Sequence, residues 1–211
     1  MSPASAPRRD QARTRLARAA VVEAARALFL ERGYAATTID VVSDRSGVPA
    51  STVYRLFSSK AGILQALLDV SIAGDDEPVP LAERPHVQAL LADPDPERQL
   101  AGLAAVVVDV NARTAPIHRL LVGAAGADPV AGQLLDDIDR RRQEGQGRVA
   151  RSLARAGALR PDLDERTAAD VIHALASPEV YRLLVVVRGW TPARYERWLT
   201  ATLVDQLLPR P

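Results

Sequence analysis

The chain has 211 residues, of which 47% are hydrophobic and 25% charged, a composition typical of a globular protein. No apolar run reaches the roughly 20 residues that span a bilayer, and residues 1–13 lack the apolar stretch of a signal peptide. We therefore expect a cytoplasmic protein without membrane association. The absence of cysteine excludes disulfides, thiolate nucleophiles and cysteine-ligated metals. Residues 1–74 hold ten basic and six acidic side chains (net +4), whereas residues 75–211 hold seventeen basic and twenty acidic ones (net −3). The net positive charge of the first third predicts an anionic partner.

Helical periodicity starts near residue 14, and residues 1–13 are predicted to be a disordered tail. Over residues 14–32 the apolar side chains recur at helical spacing: Val21, Ala24, Ala25, Leu28 and Phe29. Gly33 ends this helix. Thr37 and Asp40 have the spacing of a capping box and predict a second, short helix, which the segment Ser46-Gly47-Val48-Pro49 ends.

Residues 50–57 predict a third helix, and Ser58 or Ser59 can cap a fourth. Residues 37–57 have the layout of a helix-turn-helix, with a short helix, a turn and a second short helix. In that motif the second helix enters the major groove of DNA. Val53 and Phe57 would hold residues 50–57 to the core. Five of the other side chains could reach DNA: Ala50, Ser51, Thr52, Tyr54 and Arg55. Any short amphipathic helix after a glycine turn shows this spacing, so a purely structural helix pair is the alternative.

The rest of the chain is also helical in pattern. Residues 74–80 predict a linker or disordered loop, and helical stretches follow at about 84–92, 95–113, 115–126, 130–156, 164–188 and 192–208. Proline and glycine separate these stretches, and no strand-like alternation persists. The prediction is an all-α protein of nine or ten helices.

The sequence of residues 14–68 resembles a known family in residue type, spacing and order together. It holds Leu28-Phe29 before the Gly33-Tyr34 corner, Thr37-Thr38, Ser46-Gly47-Val48, the Val-Tyr-x-x-Phe of residues 53–57, and Ser59-Lys60. These features resemble the DNA-binding domain of the tetracycline-repressor (TetR) family of bacterial transcriptional regulators. The resemblance covers just over a quarter of the chain.

The resemblance implies a three-helix DNA-binding domain over residues 14–74, joined by helix 4 to a helical ligand-binding and dimerisation domain over residues 75–211. It further implies a homodimer on a palindromic operator. The DNA-facing residues implied by position are Thr37, Thr38, Ala50, Ser51, Thr52, Tyr54, Arg55 and Lys60. We expect Ser51 and Arg55 to contact bases, whereas Thr38, Tyr54 and Lys60 contact phosphates.

The residues after Lys60 depart from the commoner pattern of that family. An acidic residue usually follows the lysine, whereas here Ala61 and Gly62 follow. Lys60 is the only lysine of the chain, and it stands where a helix N-terminus would attract an anion. We expect Lys60 and that helix end to clamp one phosphate, and Gly62 to weaken the start of the helix by about 1 kcal/mol relative to alanine.

The C-terminal part suggests an effector site and a dimer interface. No aromatic residue occurs between residues 58 and 180, so a pocket built there would be aliphatic with few polar points, for which Asn111 and His118 are candidates. We therefore expect a largely aliphatic small-molecule effector. Residues 181–190 are apolar on too wide an arc for a solvent-facing helix. Candidate dimer contacts are Tyr181, Leu184, Trp190 and Trp198, with burial in an intramolecular core as the alternative.

The predicted function is that of a DNA-binding transcriptional regulator, a repressor released from its operator by the effector. The alternative is a regulator whose C-terminal domain binds a protein partner and takes no small molecule. The three histidines show no zinc-ligand spacing, and no catalytic or cofactor motif is present. We therefore expect no metal, no cofactor and no enzymatic activity.

Overall fold

A computed structural model describes residues 6–75, 77 and 79–210 of the chain, with side chains from Gln11 onward. Within these residues it consists of helices, turns and loops without a strand, which confirms the all-α prediction. The helices are α1 (Ala6–Arg32), α2 (Ile39–Ser46), α3 (Ala50–Phe57), α4 (Lys60–Ala73), α5 (Pro85–Ala92), α6 (Pro96–Ala125), α7 (Pro129–Arg155), α8 (Glu165–Leu175), α9 (Pro178–Tyr181) and α10 (Pro192–Leu207). A short 3₁₀ turn spans Leu81–Glu83, and α9 runs directly into a π-helical segment, Arg182–Val187.

Three helix boundaries differ from the sequence prediction. Helix α1 begins at Ala6, inside the predicted disordered tail, of which residues 1–5 lie outside the described part. Pro116 does not end a helix but lies within α6, where the burial of Ile117 and Leu121 just beyond it offsets the lost backbone hydrogen bond. The predicted helix 164–188 is interrupted because Ser177 caps a new helix, accepting a hydrogen bond from the amide of Val180.

The chain divides into two compact units. The first comprises the residues up to Ser71 together with Pro116–Leu135, and the second comprises Ile72–Ala115 together with the residues from Asp136 onward. The predicted domain boundary after residue 74 stays a prediction.

The core of the first unit holds the helix-turn-helix in place. The buried side chains that α1, α2, α3 and α4 contribute include Val21, Ala25, Leu28, Phe29, Val42, Val53, Phe57, Ile63, Leu64, Leu67 and Leu68. Phe29 packs edge-on against Tyr34, with 5.4 Å between the ring centroids. The apolar spacing that predicts α1 therefore marks the face that α2 and α3 cover.

The core of the second unit is built from α6, α7, α8 and α10. Helix α10 contributes a buried stripe at every fourth residue, consisting of Tyr195, Leu199, Leu203 and Leu207. Among the described helices α6 alone is long and apolar enough to cross a membrane by length and composition. Its residues Leu100, Ala104 and Val107 nevertheless lie in this core, as expected of the central helix of a bundle.

The loop after α4 is tied down in the described residues, unlike a disordered linker. The guanidinium of Arg84, 8% exposed, donates to both carboxylate oxygens of Asp75, at 3.0 and 2.5 Å, and to the carbonyl of Val79 at 3.0 Å. The hydrogen bond from Arg84 holds the pKa of the Asp75 carboxyl below its ordinary value. The predicted loop is thus present but held to the N-terminus of α5.

Candidate nucleic-acid interface

The turn between α2 and α3 is built by local sequence. Gly47 adopts φ +67°, a left-handed conformation that ends α2 after Ser46. The hydroxyl of Ser43 donates to the carbonyl of Val48 at 2.7 Å and closes the turn. Pro49 then precedes the first residue of α3. These contacts fix the angle at which α3 leaves α2.

Helix α3 separates its buried and exposed residues as the sequence predicts. Val53 and Phe57 are buried, whereas Ser51, Tyr54 and Arg55 are exposed and Ala50 and Thr52 are half-buried. More than half of the surface of Tyr54, 53%, is open although the residue is aromatic. The helix therefore presents hydroxyl and guanidinium groups on its open face, the groups that bind base edges and phosphates.

The two threonines before α2 have different roles. Thr38 is the N-cap of α2, is exposed, and accepts a hydrogen bond from the amide of Val41 at 3.3 Å. Thr37 is fully buried, and its hydroxyl donates to the carbonyl of Gly33 at 2.9 Å. The structure corrects the prediction for Thr37, because its side chain satisfies the end of α1 and offers DNA no surface. The helix also starts one residue later than the capping-box spacing indicates.

The ammonium of Lys60 is directed to the end of α1. Its Nζ donates to the carbonyl oxygens of Tyr34, at 2.8 Å, and Ala35, at 3.4 Å, and lies 4.2 Å from the centroid of the Tyr34 ring. Burial, followed by the charge of Asp128, raises the pKa of the Tyr34 phenol, so this ring stays neutral. Lys60 thus pins the corner between α1 and α2, a contact that the predicted phosphate clamp did not include.

The N-terminus of α4 is capped by Ser59. The hydroxyl of Ser59 accepts a hydrogen bond from the amide of Gly62 at 3.1 Å. The preceding residue, Ser58, has φ +63°, and the amide of Ser59 donates to the carbonyl of Phe57 at 2.7 Å, so the chain turns within three residues. The turn brings α4 directly against the end of α3.

Gly62 allows this close approach. A Cβ at Gly62 would lie 2.0 Å from the carbonyl oxygen of Phe57, a distance at which the backbone would have to move, and 3.0 Å from its carbonyl carbon. The structure therefore revises the expectation for Gly62. Its main effect is to permit backbone contact between α3 and α4, whereas its low helix propensity is secondary.

Arg18 is a contact of α3 that sequence reasoning missed. Its Nη1 donates to the carbonyl of Leu56 at 3.3 Å, and its guanidinium lies 4.7 Å from the centroid of the Phe57 ring. The partners are 38 residues apart in the chain, so no local pattern could reveal the contact. The C-terminal end of α3 is thus held by α1 on one side and by Gly62 on the other.

The two candidate effector residues differ in surroundings. Asn111, 4% exposed in the second unit, donates from its amide to the carbonyl of Ala176 at 3.4 Å, at the C-terminal end of α8. His118 belongs to the first unit and is half-buried.

Sequence reasoning missed a polar contact in the second unit, where Nδ1 of His173 lies 2.9 Å from Oε1 of Gln146. Burial, followed by the charge of Arg142, lowers the pKa of His173.

The candidate dimer residues divide in a similar way. Tyr181 is 4% exposed and packs edge-on against Tyr195, with 5.2 Å between the centroids, so it is a core residue, in agreement with the alternative interpretation. Leu184, Trp190 and Trp198 are half-buried. The exposed apolar side chains of this region belong to the π-helical segment and are Leu183, Val186 and Val187, at 48%, 60% and 59%.

Known proteins match both the helix-turn-helix segment and the whole fold. Residues 21–67 match the family model described as bacterial regulatory proteins, tetR family. The HTH-type transcriptional regulator YdeS of Bacillus subtilis (strain 168) is 28% identical over 168 residues, which cover 79% of this chain and 77% of YdeS. The HTH-type transcriptional regulator TtgR of Pseudomonas putida is 39% identical over 62 residues, 29% of this chain and 30% of TtgR.

The fold matches that of solved structures over most of the chain. The structure of a SmeT–triclosan complex has a TM-score of 0.68 to this chain at 20% sequence identity and covers 92% of both chains. At this identity the match concerns the fold, and it extends well beyond the residues that the family model covers.

Proposed function

Since this chain is a helix-turn-helix DNA-binding transcriptional regulator of the TetR family, we propose that it is a repressor released from a palindromic operator by a small-molecule effector. DNA reading is supported by the two faces of α3. Val53 and Phe57 are buried, whereas Ser51, Tyr54 and Arg55 are exposed. A helix anchored in this way can enter the major groove with its polar face toward the bases.

Within α3 and its neighbours we assign separate roles to the exposed residues. Arg55 and Ser51 contact base edges, where a guanidinium can bind the O6 and N7 atoms of guanine together. Thr38 and Tyr54 contact phosphates and fix the position of the helix on the duplex. Ala50 and Thr52, which are small and half-buried, allow the N-terminal turn of α3 to approach the groove closely.

Selection of DNA from a random library by the full chain tests this proposal, and a palindromic consensus is the expected result. Arg55→Ala should weaken binding to the selected duplex about 10- to 100-fold and relax the preference at one position of each half-site. Tyr54→Phe should weaken binding equally on all sequences, because it removes a phosphate contact. Arg148→Ala, on the exposed surface of α7, is the charge-matched control. An unchanged base preference in Arg55→Ala would refute the base-reading role.

We propose that the operator is bound by a homodimer. The exposed apolar residues Leu183, Val186 and Val187, beside the half-buried Trp190 and Trp198, form a surface that a second copy of the chain can cover. Light scattering at micromolar concentration should give the mass of a dimer for the natural chain and of a monomer for Val186→Asp. A monomeric natural chain would contradict the proposal.

The effector is proposed to be small or elongated and largely aliphatic. The helices α5 to α8 contain no aromatic residue. The apolar side chains that they contribute to the core are Leu, Val, Ile and Ala, beside a few buried polar ones such as Asn111 and Gln146. SmeT, which shares this fold, forms a complex with triclosan, which supports control by a small molecule. A thermal-shift screen of aliphatic acids and aromatic cations, followed by displacement from DNA, tests the chemical class. Tight binding of aromatic cations alone would overturn it.

A further inference from the structure

The N-terminal half of α1 extends beyond the core of the first unit. Helix α1 begins at Ala6, yet the first buried side chain is Val21, and every side chain described between Gln11 and Ala20 is exposed or half-buried. Alanine is frequent in this segment and favours the helix without tertiary support. The segment 6–20 is also strongly basic, with Asp10 as its only acidic residue against Arg8, Arg9, Arg13, Arg15 and Arg18.

Arg18 sets the position of this extension. Its hydrogen bond to the carbonyl of Leu56 and its stacking on Phe57 join α1 to the C-terminal end of α3. The basic half of α1 therefore starts directly beside the helix that reads DNA. Arg18 acts here as a positioning residue, because its guanidinium is engaged within the protein.

Arg15 lies one turn before Arg18 on the same face of α1, since residues three apart are neighbours on a helix. Arg13 is about 200° away from Arg15 around the helix axis, and so faces the opposite side. Both side chains are exposed. Among the described side chains, neither arginine forms an ion pair with a carboxylate. A guanidinium with no carboxylate partner among the side chains from Gln11 onward, next to the helix proposed to read DNA, is suited to a phosphate.

We propose that Arg15 binds a backbone phosphate of the operator duplex, outside the bases that α3 reads. This contact rests on the proposed binding of DNA by α3 and adds a second helix to the interface. The guanidinium donates two N–H groups to the phosphate oxygens, and one condensed counterion is released for each phosphate neutralised. The contact carries affinity and salt dependence but no base preference.

The test compares Arg15→Gln with Arg13→Gln, a pair that removes the same charge from opposite faces of one helix. The probe is the tightest-binding duplex recovered by selection from a random library. It is extended by further base pairs on both sides of the selected bases. One phosphate contact contributes about 0.9 to the slope of log K against log salt concentration, so two subunits contribute about 1.8. Arg15→Gln should lower the slope by that amount, whereas Arg13→Gln should change it by clearly less. Glutamine keeps the helix propensity, and circular dichroism checks the helix content.

A second measurement uses the same duplex trimmed to the selected bases. The difference between natural chain and Arg15→Gln should disappear on it, because the flanking phosphate is absent. An unchanged slope on the long duplex, an equal effect of both variants, or an effect that persists on the trimmed duplex would each overturn the proposal. If the natural chain selected no sequence at all, DNA reading by α3 would fail first, and that outcome is distinct from the others.

Discussion

Replacing Gly62 by alanine should disturb the junction between α3 and α4. The added Cβ would lie 2.0 Å from the carbonyl oxygen of Phe57, and this oxygen belongs to backbone rather than to a flexible side chain. To reach an ordinary contact distance, the two helix ends would have to separate by more than about 1 Å. Ser58, already at φ +63°, leaves the three-residue turn little freedom to absorb this movement.

The sign of the effect follows from two opposing contributions. Alanine in a helix is more favourable than glycine by about 1 kcal/mol. Overpacking against backbone costs about 1–3 kcal/mol and more when the neighbour cannot move. We therefore expect Gly62→Ala to lower the free energy of unfolding by about 1–2 kcal/mol, a decrease of roughly 2–8 °C in Tm.

The matched control is Gly145→Ala in α7. Gly145 is exposed, and a Cβ built there meets no atom within 4 Å. The same substitution should therefore stabilise the protein by up to about 1 kcal/mol. Urea and thermal denaturation measure both variants, and binding to the selected duplex shows whether α3 has moved. The reasoning is refuted if Gly62→Ala stabilises the protein as Gly145→Ala does.

Two further predictions concern ionic contacts. Lys60→Met should lower the free energy of unfolding by about 1–3 kcal/mol, because it removes a charge-assisted hydrogen bond to the carbonyl of Tyr34 and a cation–π contact with its ring. An unchanged free energy of unfolding in urea denaturation would contradict this. Because Arg84 lowers the pKa of Asp75 from its ordinary 3.8, the contribution of this pair is present above about pH 4 and is lost as the pH falls through the lowered value. Asp75→Asn should therefore reduce the difference in stability between pH 7 and pH 3, and an unchanged difference would count against the contact.

Local signals account for what the sequence predicted correctly. Helix α3 has the predicted bounds because Pro49 and the turn at Ser58 limit it within a few residues on either side. The burial of Val53 and Phe57 follows from their spacing of four. The N-cap of α2 shows the limit of such signals. Either Thr37 or Thr38 could cap this helix by residue type, and only the packing of Thr37 against the end of α1 distinguishes the two.

Contacts between distant residues account for what the sequence could not show. Lys60 and Tyr34 are 26 residues apart, and Arg18 and Leu56 are 38 apart, so these pairs exist only once the helices have packed. The helix start at Lys60 suggested an anion site by electrostatics alone. In the structure the ammonium donates to the carbonyl oxygens of Tyr34 and Ala35, just after the end of α1, and its contact with a phosphate stays a prediction.

These contacts converge on the C-terminal end of α3. Arg18 holds Leu56 and Phe57 from α1, and the backbone of Phe57 touches Gly62 of α4. The N-terminal turn of α3, by contrast, has no side-chain cap. A shift of the first turn of α4 must therefore move Phe57 through backbone contact, without a flexible side chain between them to absorb it. The C-terminal end of α3 is therefore held by α1 and α4, and we expect the face of α3 that is proposed to read DNA to move with it.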